Sequence, residues 1–346
     1  MIIRFRRMFY IRTLIVIGFF ALGLSACKTD SKKEAASSDT DLIQVHVSSE
    51  NLDDSLFACK SAQEVQSFLN KHSYLSDWYF TDAPVEKPQL AAHLFQILQN
   101  KDFRAFKMQL DLIIGDRNAS IINPLKKSFQ QIARYYPDFK APEVKFMVTG
   151  FSGNDLYISD SLIVIGLDYF GGPKARFRPD VYGYQLRRYQ KEYIVPSIIF
   201  FMSNKYNHVN ASDRTLLADM IGYGKGYEFV KQVMPDTPDS LILGYSEESL
   251  IRTYNSQQDI WSFFVSNKLL YENMDLKKQK FIGERPFTTE IGNEVPGGIG
   301  RWLGWRIVSR YMAENPEVSL PQLMKNDNAG NLLQASGYKG EKDDEE

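Results

Sequence analysis

Apolar side chains recur at helical spacing along most of the chain, and this pattern predicts a helix-rich protein. The predicted helices cover residues 52–59, 62–71, 90–100 and 118–135 in the first part of the chain, and 182–205, 213–223, 227–234, 247–254, 260–271 and 300–312 in the rest. Apolar positions within residues 42–47 predict a first strand ahead of these helices.

Between the two helical parts, residues 144–151, 156–159 and 162–170 are rich in Val, Ile, Phe and Tyr. Runs of β-branched and aromatic residues predict strands, here with a turn at Gly153 and Asn154. A few strands among many helices predict an α+β fold with a small sheet. We expect this fold to form one domain over residues 41–339.

The start of the chain has the organisation of an export signal. Four arginines precede an apolar stretch over residues 14–24, which is about half the length of roughly 20 residues that a transmembrane helix needs. Residues 24–27, Leu-Ser-Ala-Cys, resemble a bacterial lipobox. We therefore predict a signal peptide over residues 1–26, lipidation of Cys27 with acyl chains that hold the protein to a cell-envelope membrane, and export from the cytoplasm.

Two polar segments flank the predicted domain. Residues 27–40 contain Lys, Asp, Glu, Ser, Thr and Ala after the cysteine, and residues 340–346 are dominated by Glu, Asp and Lys. Such segments bury too little apolar surface to offset the entropy of ordering. They predict a flexible lipidated tether and a disordered acidic tail, and the tether has a reach of only roughly 20 Å.

Charge and cysteine content narrow the classes of function. The formal net charge is −1, and loss of the basic leader takes it to about −5, which argues against nucleic-acid binding. If Cys27 carries lipid, Cys59 is the only other thiol, so no internal disulfide forms. Cys59 lies in an amphipathic stretch, which predicts a buried thiol rather than a reactive one.

Four segments carry a resemblance to a known family. They are QLRRY at residues 185–189, LADMI at 217–221, PDTPDS at 235–240 and GRWLGW at 300–305. Together with the lipobox, they make the chain resemble the GldB family of gliding-motility lipoproteins over most of its length after the tether. The resemblance implies a role in gliding motility and, more distantly, a fold similar to that of predicted zinc-dependent proteases of the zincin type.

The zincin similarity can be tested on individual residues. Such proteases hold zinc with two histidines four positions apart on a helix, a glutamate beside the first, and a third ligand on a following helix. The matching positions are Lys191, Glu192, Val195 and Tyr223. Only Glu192 agrees with the pattern, because none of the other three is an expected zinc ligand. The resemblance therefore implies a degenerate site without a metal, a cofactor or a catalytic residue.

Two interpretations of Lys191 follow from this comparison. Its ammonium fills part of the former zinc position and pairs with a carboxylate such as Asp219, or it is a solvated lysine on a basic face with Arg187 and Arg188. The first predicts a stability loss of roughly 3 kcal/mol or more when the lysine is removed.

Other candidate sites are weaker. The four histidines are not spaced as a helical metal pair, and they are predicted to be surface or hydrogen-bonded residues; they are His46, His72, His93 and His208. Ser152 lies in an incomplete Gly-x-Ser-x-Gly pattern and reads better as part of a turn.

Glycines at two places predict packing rather than ligand binding. The alternate glycines of residues 222–226 predict a helix break with close packing. Gly300 and Gly304 predict the close approach of another helix, with Trp302 and Trp305 in the core.

These observations predict a non-catalytic, lipid-anchored envelope component of the gliding motility machinery, linked to the secretion of surface adhesins and acting through other envelope proteins. Two alternatives stay open: a metal-dependent hydrolase with unusual ligands, and a lipoprotein that binds a sugar or a peptide through aromatic side chains.

Overall fold

A computed structural model describes residues 43–80 and 86–341. The elements before the sheet are mainly helical, and the first strand, β1, is short. In chain order they are β1 (Ser49–Asn51), α1 (Leu52–Phe57), α2 (Ala62–Lys71), α3 (Lys87–Gln99), α4 (Lys101–Ile114) and α5 (Asn123–Tyr135). Asn100 divides α3 from α4, because its side chain accepts hydrogen bonds from the N–H groups of Asp102 and Phe103. An N-cap of this kind starts a new helix where the sequence pattern predicts only an end.

The strands form one small mixed sheet. β2 (Glu143–Met147), β3 (Leu156–Ile158) and β4 (Leu162–Gly166) join β1 in the order β1-β2-β4-β3. The β1-β2 and β2-β4 pairs are parallel, and the β3-β4 pair is antiparallel. The α+β prediction is thus confirmed, with β4 buried along its whole length.

The first strand was predicted too early in the chain. Residues 43–48 are irregular, and pairing with β2 begins at Ser49. Val45 and Val47 do pack against the core, so their alternation reflects burial without a hydrogen-bonded ladder. β1 is a short polar edge strand, which apolar patterning does not detect.

The second part of the chain is helical, as predicted. Its helices are α6 (Ile194–Ser203), α7 (Leu216–Val233), α8 (Asp239–Leu243), α9 (Glu247–Asn255), α10 (Gln257–Ser266), α11 (Asp275–Ile282), α12 (Ile299–Glu314), α13 (Leu320–Lys325) and α14 (Ala329–Ser336). The helix predicted over residues 182–205 is much shorter in the structure. Pro196 lacks a backbone N–H and occupies the first turn of α6, so the regular helix begins just before it.

The glycines of α7 do not break the helix, contrary to the prediction. They allow α7 and α12 to cross with their backbones in contact. A Cβ atom on Gly224 would lie 2.4 Å from the Gly304 carbonyl oxygen, and one on Gly304 would lie 1.9 Å from the Met220 oxygen. The close approach predicted for Gly304 is therefore confirmed, and Trp302 and Trp305 are buried beside it.

The buried apolar residues of the sheet and of the helices around it form one continuous core. Within residues 43–80 and 86–341, no helix is both long enough and apolar enough to cross a membrane.

Candidate functional site

Several predicted features fall outside the described residues. They are Cys27, the signal peptide over residues 1–26, the tether over residues 27–40, and residues 342–346 of the acidic tail.

Lys191 is held by the protein backbone. It lies in a 3₁₀ turn, Lys191–Tyr193, ahead of α6. Its Nζ atom donates a hydrogen bond of 3.0 Å to the carbonyl oxygen of Ile113, in the last turn of α4. A cation at this end of a helix also interacts favourably with the helix dipole. The predicted pairing with Asp219 is wrong, because that carboxylate binds Lys278 at 2.8 Å.

The other three positions that the sequence predicts as a degenerate zinc site have the following surroundings in the structure. Val195 is only 4% exposed and packs in the core. The Tyr223 ring lies between the Phe200 ring, with centroids 6.4 Å apart, and the Arg301 guanidinium, 4.4 Å from the ring centre. Glu192 is exposed to solvent. In the part of the chain that the structure describes, no three His, Cys, Asp or Glu side chains are placed to hold a metal ion.

The remaining candidates from the sequence have ordinary surroundings. His46 is exposed, the carbonyl oxygen of His208 accepts a hydrogen bond from Lys225, and burial lowers the pKa of His72, whose Nδ1 lies 3.1 Å from the Tyr74 hydroxyl. His93 Nε2 lies 3.4 Å from Ser152 Oγ at the surface.

The sequence predicts a buried Cys59, but in the structure this residue is only half-buried. Its thiol lies 3.6 Å from the Ser55 carbonyl oxygen. Burial raises the pKa of this thiol, which disfavours the reactive thiolate.

A more open site includes Arg301. It is a cavity of about 350 Å³, here called the arginine pocket, and it contains five arginines but only two carboxylates. Its charged lining residues are Arg187, Arg188, Arg252, Arg285, Arg301, Glu248 and Glu284, and its aromatic ones are Tyr184, Tyr227, Tyr245 and Phe287.

Glu284 fastens two of the segments that form the pocket. Its carboxylate pairs with Arg188 and accepts a 2.9 Å hydrogen bond from Gln185 Nε2. The Tyr184 hydroxyl donates to the Glu284 backbone oxygen at 3.3 Å. A third segment is tied in by the Tyr245 hydroxyl, which donates to the Gly297 oxygen at 3.0 Å. The walls are thus fixed by hydrogen bonds between residues far apart in the sequence.

One glycine makes room for a pocket arginine. Gly244 has φ of +75°, in the left-handed region, and ends α8. A Cβ atom there would lie 2.7 Å from Cδ of Arg188. Glycine at this position therefore both ends the helix and lets the arginine side chain pass.

The five arginines differ in how well their charges are balanced. Arg252 pairs with Glu248 at 2.5 Å, and Arg285 pairs with Glu290 at 2.9 Å. In the described part of the chain, Arg187 and Arg301 have no carboxylate partner. Both side chains line the same cavity, so positive charge there is left uncompensated.

Arg301 is nevertheless held firmly in place. Its Nε atom donates a 2.5 Å hydrogen bond to the Ile282 carbonyl oxygen, and its guanidinium covers Tyr223. Burial and the nearby positive charge of Arg301 lower the pKa of Arg188. Burial also raises the pKa of Tyr227, so its phenol stays neutral near pH 7. An anion in the pocket would relieve the repulsion between the arginines.

A second cavity of about 870 Å³ adjoins the arginine pocket. The two share Arg187, Tyr245 and Ser246. The second one adds apolar and polar groups, among them Leu186, Tyr193, Pro238 and Leu241. The shared residues place the two cavities side by side, and together they are here called the groove.

Sequence reasoning missed this site. It identified Arg187 and Arg188 only as part of a basic face of a helix. Arg252 lies on α9, Arg285 follows α11 and Arg301 lies on α12, so only the tertiary fold brings these separate segments to one cavity.

The fold and this pocket define a helix-rich α+β protein with a cationic groove. The family model of gliding motility protein GldB matches residues 31–340. The chain therefore belongs to the GldB family of lipoproteins and is a gliding motility protein. Comparison with curated proteins and with solved structures finds no match.

Proposed function

We propose that the protein is a non-catalytic, lipid-anchored component of the gliding machinery in the cell envelope, and that it acts by binding other envelope proteins. A link to the secretion of surface adhesins belongs to the same proposal. Family membership supports the motility role. The non-catalytic part rests on what the structure places at the expected metal-ligand positions.

The main support for the proposal is that the side chains at these positions make contacts within the protein. Lys191 binds a helix carbonyl, Val195 is core, and Tyr223 lies under a guanidinium. A zinc ion needs lone pairs directed at one point, usually from imidazole, thiolate or carboxylate groups. None of the three side chains offers such a donor near neutral pH, and Lys191 and Arg301 add positive charge.

Metal analysis tests the non-catalytic part. The full chain, purified without a histidine tag, is expected to contain far less than one zinc ion per molecule, and added zinc should not raise its melting temperature. A tightly bound metal stabilises a folded protein by mass action, so both readouts are sensitive. Stoichiometric zinc together with chelator-sensitive hydrolysis would support the metal-dependent hydrolase instead.

The lipid anchor is tested separately. Cys27→Ser should move the protein from the membrane fraction to the soluble fraction and abolish labelling with radioactive palmitate. Two or more acyl chains anchor a protein stably, whereas one binds marginally. Cys59→Ser is the matched control and should leave both readouts unchanged. Membrane retention of Cys27→Ser would contradict the proposed anchor.

Crosslinking in gliding cells tests the interaction role. A photoreactive amino acid at Phe287, 45% exposed at the arginine pocket, should give discrete adducts with envelope proteins. The same group at Leu112, which is 84% exposed on α4 and lies outside the groove, serves as the control. Absence of adducts at Phe287 would count against binding through this face.

A further inference from the structure

The arginine pocket holds more positive than negative charge. Three of its arginines pair with carboxylates, whereas Arg187 and Arg301 pair with none among the residues that the structure describes. Contacts with Ile282 and Tyr223 already hold the Arg301 side chain in place, so it loses little conformational entropy when it binds an anion. The planar guanidinium group matches a carboxylate or a phosphate in a bidentate manner.

The rim of the pocket argues against an anionic membrane surface as the ligand. The Glu248 and Glu294 side chains are 80% and 81% exposed, and both lie near Arg252. A bilayer of anionic lipids would meet these two carboxylates before it reached the recessed arginines. The negative surface potential of such a membrane would repel the two carboxylates.

The shape of the groove argues for an extended chain rather than a small ion. The arginine pocket adjoins the second cavity at Ser246, and the lining of that cavity includes Leu186, Tyr193 and Leu241 together with one carboxylate, Glu247. A free phosphate would fill only a small part of this groove. A peptide with acidic and apolar side chains would use both parts, with its carboxylates on the arginines and its apolar groups in the second cavity.

We propose that the groove binds an acidic peptide segment of another protein, with carboxylates paired to Arg187 and Arg301 and the chain continuing across Ser246. This inference rests on the proposed interaction function and names the chemistry of the partner. Arg187 is the specificity residue that is best suited to a test, because it is exposed and has no ion pair within the described residues.

The experiment uses the full chain in detergent and two immobilised pools of random peptides. One pool has glutamate at alternate positions, and the other has glutamine at the same positions. The chain should be retained at least tenfold better on the glutamate pool, and Arg187→Gln should reduce that retention about tenfold, since a charge-assisted hydrogen bond contributes roughly one such factor. The matched control is Arg134→Gln, an exposed α5 arginine outside the groove, which should leave retention unchanged.

Equal retention on both pools, or retention that Arg187→Gln does not change, would overturn the inference. Binding to phosphatidylglycerol vesicles or to inorganic phosphate that depends on Arg187, without a preference for the glutamate pool, would also overturn it and assign a phosphate ligand. Failure on the peptides combined with crosslinked adducts at Phe287 would remove this inference but leave the proposed function standing.

Discussion

Arg301 contacts Tyr223, one of the positions predicted to be a degenerate zinc site, and also lines the arginine pocket, but the predicted positions and the pocket use their side chains in opposite ways. At the former, Lys191 and Tyr223 are occupied by contacts within the protein. In the latter, Arg187 and Arg301 have no carboxylate partner within residues 43–80 and 86–341. The comparison indicates that the pocket has charged groups free to meet a ligand, whereas Lys191 and Tyr223 are engaged within the protein.

The same two helices shape both regions. α7 carries Tyr223 and Tyr227, and α12 carries Arg301 one turn ahead of Trp305. The indole N–H of Trp305 donates a 3.0 Å hydrogen bond to Glu228 Oε2 and fixes the register of the pair. Substitutions at the crossing of α7 and α12 should therefore lower the free energy of unfolding and, through it, disturb the pocket. Substitutions in the pocket should reduce ligand binding alone.

The largest stability effect is expected at the helix crossing. Gly304→Ala should lower the free energy of unfolding by about 3 kcal/mol, because its Cβ atom meets the backbone of Met220 and not a movable side chain. Urea unfolding followed by circular dichroism measures this loss. Gly330→Ala on α14 is the control, since its nearest neighbour would be 3.6 Å away. It should be neutral or slightly stabilising, and equal behaviour of both variants would contradict the packing described.

A second large effect is expected for the buried Lys225. Its ammonium donates to the carbonyl oxygens of His208 and Asn326 at 2.5 and 2.7 Å, and more weakly to that of Met324. Lys225→Met should cost about 2 kcal/mol at pH 7, because these acceptors lose their donor. Loss of less than about 0.5 kcal/mol would show that water replaces the ammonium without cost.

The contribution of Lys225 to the free energy of unfolding should depend on pH. Burial lowers its pKa to about 8 from the ordinary 10.5. Between these values the unfolded chain holds a proton that the folded chain lacks, so this group adds stability as the pH rises. The difference in unfolding free energy between wild type and Lys225→Met should therefore grow from pH 8 to pH 10. A difference that is constant with pH would contradict the lowered pKa.

A smaller effect is expected at Lys191 and tests the carbonyl contact that the structure shows in place of the predicted ion pair. Lys191→Ala should cost about 1 kcal/mol, the usual net value of one hydrogen bond to a carbonyl. A loss of 3 kcal/mol or more would indicate a buried ion pair instead. Thermal and urea unfolding of the variant both measure it.

The smallest stability effect is expected in the pocket. Arg187→Gln should change the free energy of unfolding by less than about 0.5 kcal/mol, because the side chain is exposed and makes no ion pair. This variant therefore separates binding from folding. A marked loss of stability would show that Arg187 supports the fold rather than a ligand.

The sequence predicted the fold class and the long helices well, because a buried face imposes a strong period on helices such as α2 and α5. It missed α4 and the short helices α8, α11, α13 and α14, where Asn100 or a few local contacts set the boundaries. The degenerate zinc-site residues could be named from a motif. The arginine pocket could not, since its residues converge only through the packing of distant segments.

The most direct test compares gliding of two single variants in cells that lack the wild-type protein. Glu192 is the only residue that still matches the protease pattern, and it is exposed. We expect Glu192→Gln cells to glide at wild-type speed and Arg187→Gln cells, with the protein at the same level, to glide poorly. Loss of gliding with Glu192→Gln and normal gliding with Arg187→Gln would contradict the account and favour catalysis.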